Sequence, residues 1–91
     1  MSSVPCDLRV SSARADALFA SALQRSDEPS AGRVRQAIAA TIAARSGSGC
    51  AALVAQAFGE HPETAITRMR WARTTVADVF GAVRPELARA A

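Results

Sequence analysis

The stretch Val54-Ala55-Gln56-Ala57-Phe58-Gly59-Glu60-His61-Pro62-Glu63-Thr64-Ala65-Ile66-Thr67-Arg68-Met69-Arg70-Trp71-Ala72-Arg73 decides how this chain folds. Its first six residues read as the end of a short helix. Glu60-His61 reads as a tight turn, and Pro62-Glu63-Thr64 opens a second, longer helix. Proline suits the first helical turn, where its missing N–H has no partner to lose, and Glu63 beside it is favourable against the helix dipole. In this reading Ala55 lets two helices cross closely, and Gly59 supplies the conformational freedom for the corner between them.

Working outward, the remaining chain also reads as helix. Ser12 is a candidate N-cap for a helix over about residues 13–25, with a stripe of Ala15, Leu18, Phe19, Ala22 and Leu23. Ser26-Asp27-Glu28-Pro29-Ser30 breaks it. Ser30 then caps a second helix over about 31–46 that turns Val34, Ala37, Ile38, Thr41 and Ile42 inward, and Gly47-Ser48-Gly49 is expected to stop it. Ser48 would cap a third helix over about 50–58, with Leu53, Val54, Ala57 and Phe58 as its apolar contacts. The fourth runs from Pro62 to about Val83, before Arg84-Pro85, on a stripe of Ala65, Met69, Ala72, Val76, Val79 or Phe80, and Val83.

The expected fold is therefore all-α: a compact bundle of four helices, the last one longest. Residues 1–11 form a mobile arm, 12–84 the single helical domain and 85–91 a tail. A chain of 91 residues with 49% apolar residues has room for one core. About a quarter of the residues are alanine and only four are aromatic, so close backbone approach must supply much of the packing. An apolar stripe continuing to Val83 is longer than so small a bundle needs. It predicts a homodimer built on Val76, Val79, Phe80 and Val83.

The net charge of +3 excludes a long phosphate-condensing surface, but its distribution is uneven. Residues 1–30 sum to −1, and residues 31–61 and 62–91 to +2 each. All eleven fixed positive charges are arginine. Cys6 and Cys50 with the lone His61 lack zinc or redox spacing, so no metal or cofactor is expected and both thiols are read as reduced. With no run of 18 apolar residues and no signal-peptide layout, the expected location is cytoplasmic, without membrane contact. No nucleophile stands near a base, and Gly47-Ser48-Gly49 lacks the lysine of a phosphate-binding loop, so an enzyme is not expected.

Val54 to Gly59, then Thr64-Ala65 and Thr67 to Arg73, together resemble the helix-turn-helix of sigma-factor region 4 and its bacterial relatives, over about 23 of the 91 residues. The resemblance implies a DNA-binding motif at 50–73 in which Thr64, Thr67, Arg68, Arg70 and Arg73 face double-stranded DNA. The chain as a whole is also similar to small actinobacterial proteins of no assigned activity. The expected function is then a small transcriptional regulator, its long helix in the major groove. Glu60, Glu63 and Trp71 motivate the alternative of a helical interaction module that binds a transcription factor or polymerase subunit. Carboxylates repel phosphate, while an aromatic among charges of both signs suits a protein interface.

Overall fold

The computed structural model describes residues 6–80, with side chains from Val10 onward. It contains three α-helices and one short 3₁₀ turn, and no strand among the described residues: α1 (Cys6–Ala20), the turn Arg25–Asp27, α2 (Ala31–Glu60) and α3 (Pro62–Phe80). The all-α expectation holds. The count of four does not, because the expected second and third helices are the two halves of α2, broken at a single residue.

That residue is Ser46, with φ 67° and ψ 167° inside an otherwise helical run. This backbone region is open to glycine and strained for any side chain, at a cost of about 1–3 kcal/mol. The expected stop at Gly47-Ser48-Gly49 is thus displaced by one residue, and these three are themselves helical. Ser46 compensates in part. Its Oγ accepts the Gly49 N–H at 3.2 Å, capping the second half of α2 in the role expected of Ser48. At the start of α2, Ser30 caps as expected, accepting the Arg33 N–H at 3.2 Å.

The first helix begins earlier and ends earlier than expected, taking in residues 6–11 of the expected arm. It stops at Ala20 because Ser21 turns back on it: the Ser21 hydroxyl donates to the Leu18 carbonyl at 2.7 Å, and its N–H to the same oxygen at 3.1 Å. This early stop explains why Ala22, expected in the core, is exposed. Leu23 still reaches the interior.

The core is one cluster: Ala15, Ala17, Leu18, Phe19 and Leu23 from the first segment, Val34, Ile38 and Cys50 from α2, and Ala65, Met69, Ala72 and Val76 from α3. Four of its members are alanines, the close approach that the composition called for. The α3 stripe lies as expected, and Cys50 is a fully buried small residue near the start of a helical segment. By length and mean hydropathy (1.4), α2 is apolar enough to cross a membrane, although polar residues interrupt it and it holds no continuous apolar run. Of the window that meets this measure 11% is buried, and Val34, Ile38 and Cys50 pack on the other helices.

The corner between α2 and α3 is a single residue, His61 (φ −141°, ψ 71°). Its N–H donates to the Ala57 carbonyl at 2.8 Å, and its own carbonyl accepts the Ala65 N–H at 2.9 Å, so the chain reverses with both flanking helices satisfied. Gly59 has no positive φ, and a Cβ placed there would meet nothing within 4 Å. Ala55 is exposed. The corner therefore depends on neither of the two small residues proposed for it, since any L-residue can adopt the His61 conformation.

Two stability outcomes are expected. Gly59→Ala should raise stability by about 0.5–1 kcal/mol, because a helical glycine costs chain entropy and the site is open. Ser46→Gly should gain about 1 kcal/mol, relieved backbone strain outweighing a lost cap, whereas Ser46→Val should lose more than about 1 kcal/mol. Urea midpoints read both, and a Gly59→Ala loss would return the corner to glycine.

Candidate functional site

Seen down its axis, α3 buries Ala65, Met69, Ala72 and Val76, and turns Glu63, Thr67, Arg70, Thr74 and Asp78 to solvent. Arg68 and Trp71 lie on one flank, half-buried, and Arg73 lies on the other. The five residues expected to face DNA are therefore not one surface. Thr64, Thr67, Arg70 and Arg73 are exposed, and Arg68 is not.

Arg68 reaches across to the end of α1. Its Nε donates to the Phe19 carbonyl at 2.9 Å, and its Nη2 lies at 3.3 Å from the Leu18 oxygen, 3.0 Å from Ser21 and 2.9 Å from Leu23. Nη2 has only two hydrogens, so at least one of these bonds is shared. The last carbonyls of a helix have no partner of their own and sit at the negative end of its dipole, so a guanidinium there serves as cap and counter-charge together. Its carbon lies 5.6 Å from the Phe19 ring centroid and 5.2 Å from that of Trp71. Burial lowers the Arg68 pKa below its usual value. A residue so engaged is a structural cap, which corrects its place among the outward arginines.

The same contact fixes the turn that follows. Ser21 and Leu23, both held by Arg68, lead into Gln24 and Arg25. There the Asp27 carboxylate accepts the Gln24 N–H at 2.9 Å, and the Glu28 N–H closes on the Arg25 carbonyl at 3.1 Å. Arg25 is thereby held beside α3. Two adjoining hollows result, one lined by Gln24, Arg25, Glu63, Thr64, Thr67, Arg68 and Trp71, the other by Arg25, Thr67, Arg70, Trp71 and Thr74. Because they share Arg25, Thr67 and Trp71, they form one trough across the outer face of α3. Thr67 donates its hydroxyl to the Glu63 carbonyl at 3.2 Å, which leaves the oxygen as an acceptor toward the trough.

Arg25 was read from the sequence as the last residue of a helix, and no pattern marks it as part of a site. Arg68 was legible in principle. On the wheel it lies closer to the buried stripe than Arg70 does, and its neighbour Trp71 is too large to stand free.

On the opposite flank, Arg73 and Asp16 of α1 interact. Burial raises the Asp16 carboxyl above its usual range and Arg73 opposes that rise. Arg73 thus faces α1 as well as solvent.

Of the residues expected to meet a second copy, Val76, Val79 and Phe80 are engaged within the chain. Val76 is 4% exposed, and Val79 and Phe80 pack against the core. The Arg14 guanidinium lies 3.9 Å from the Phe80 ring centroid, with Arg35 at 5.9 Å donating to the Val79 carbonyl at 3.4 Å. Val83 and the tail lie outside the described residues. Comparison with protein-family models, with curated proteins and with solved structures finds no match. The geometry alone carries the functional reading.

Arg68→Ala should cost about 2–4 kcal/mol, since it strands several carbonyls at one helix end, and Arg68→Lys should recover only part of this for want of the planar fork. Full recovery by lysine, read from urea midpoints, would reduce the contact to a point charge. Asp16 gives a pH signature. The folded chain holds its proton more tightly than the unfolded one, so its contribution to stability falls as pH climbs from 3.8 through the raised value. Asp16→Asn should therefore exceed the parent in stability at about pH 7 and match it near pH 3. A variant weaker than the parent at neutral pH would mean that attraction to Arg73 outweighs burial.

Proposed function

We propose that this chain is a helical interaction module that docks a protein partner on the outer face of α3 and the adjoining 3₁₀ turn. The observation that carries the reading is the trough around Trp71, whose lining gathers the aromatic ring with Arg25, Arg70 and Glu63. Tryptophan and arginine are the residues that most often dominate the energetics of protein interfaces, and a rim carrying charges of both signs is typical of them. The trough also rests on a rigid base. Arg68 locks the turn and supports the Trp71 ring, which reduces the ordering cost of binding.

The second reading, a DNA-binding regulator, is supported by a different observation. Thr67, Arg70 and Thr74 share the exposed face of a 19-residue helix, with Arg73 on its flank. Three features count against it: the one-residue corner, the withdrawal of Arg68, and Glu63 at the end of the helix where phosphate would approach.

The two readings separate on one protein preparation. Docking predicts a blue shift of Trp71 fluorescence with a protein partner, lost in Arg70→Glu. It also predicts no sequence-selective retention of genomic DNA fragments at about 150 mM salt. Selective retention that Arg70→Ala weakens by about 1–3 kcal/mol would instead establish the regulator.

A further inference from the structure

Resting on the docking reading, we infer that the trough takes an acidic segment of the partner, with one aromatic side chain seated against Trp71. The charge balance sets the sign. Arg25, Arg68 and Arg70 line the two hollows, against Glu63 alone. Arg68 spends its hydrogen bonds on backbone carbonyls at the negative end of α1, which offset its charge, so Arg25 and Arg70 against Glu63 leave the net attraction that an anionic segment meets.

The floor sets the second feature. The open hollow lined by Gln24, Arg25, Glu63, Thr64, Thr67, Arg68 and Trp71 has a volume of about 450 Å³, within the range of side-chain and small-ligand pockets. Two of its lining groups, the Arg68 guanidinium and the Trp71 ring, lie against each other at 5.2 Å. A ring entering here meets an aromatic neighbour with which edge-to-face or offset contact is favourable, on a platform already held in place. Gln24, Thr64 and Thr67 supply amide and hydroxyl groups for the backbone of an extended segment. Arg25 and Arg70, which line the same hollow as Trp71, take carboxylates flanking the aromatic residue.

The test uses three short blocked peptides titrated to about 1 mM into the full chain, followed by ¹H–¹⁵N NMR shifts and Trp71 emission. The first has two acidic residues on each side of a phenylalanine, the second has alanine in its place, and the third has basic residues around the phenylalanine. The expected result is that the first peptide shifts the amides of 24–25 and 63–74 and binds about tenfold more weakly to Arg25→Glu. It should bind more tightly to Glu63→Gln, which removes the opposing charge. The second peptide should bind several-fold more weakly than the first, and the third not at all. Preference for the basic peptide, or Glu63→Gln weakening the acidic one, would overturn the acidic assignment and leave docking intact. No peptide response together with selective DNA retention that shifts the Arg70 amide would remove the docking reading itself. No response to any peptide or DNA, in a chain whose spectrum shows it folded, overturns the inference.

Discussion

The fold depends on a positive charge placed at the end of a helix. When α1 stops at Ala20, Ser21 closes on the Leu18 carbonyl, and Arg68 of α3 meets the Phe19 carbonyl beside it. Arg68 supplies donors to them and brings a cation to the negative end of the helix dipole. Among the described residues the geometry is satisfied with no carboxylate partner, so backbone dipoles do the work of a counter-ion. The contact spans 45 to 50 residues of sequence and ties the first and last helices into one body. Cation–ring contacts with Phe19 and Trp71 extend it into the core on one side and the surface on the other.

From that contact the outer surface follows. The segment from Ser21 to Leu23 is held by the same guanidinium, the 3₁₀ turn grows from it, and Arg25 is placed beside Trp71. A site composed of residues from a turn and a distant helix is thus assembled by a side chain whose hydrogen bonds all run inward, to backbone carbonyls, among the described residues. The break at Ser46 does a comparable task for α2. It lets one long alanine-rich segment run along α1 and then turn, so that Cys50 is buried and the chain arrives at the His61 corner in position to lay α3 across both.

The elements that repeat were legible in the sequence. Ala15, Leu18 and Phe19 of the α1 stripe, the α3 stripe as far as Phe80, the Ser30 cap, the Pro62 start and the buried Met69 follow from periodicity and end chemistry, which act over a few residues. What depends on long-range placement was not. Ser46 is neither glycine nor proline, and its strained backbone is tolerated only because packing holds the two halves of α2 on either side of it. Gly59 stood where a turn glycine is usual, yet the reversal needs one residue of ordinary φ. Arg68 and Arg70 are the same residue type two positions apart, and opposite fates followed from 200° of helix rotation. Alternation of this kind separates a cap from a surface charge only when the neighbouring helix end is known. Phe80 illustrates the same limit: its stripe suggested a second copy, and the periodicity gave no sign that Arg14 and Arg35 lie against its ring within the chain.

The most direct measurement is hydrogen exchange at the arginine Nε–H groups by NMR. If Arg68 closes the end of α1, its Nε–H is protected from exchange, lies close to Phe19, and stands apart from the solvent-facing arginines Arg25 and Arg70, which exchange freely. An Arg68 Nε–H that exchanges at the rate of those exposed side chains would contradict the account at its centre.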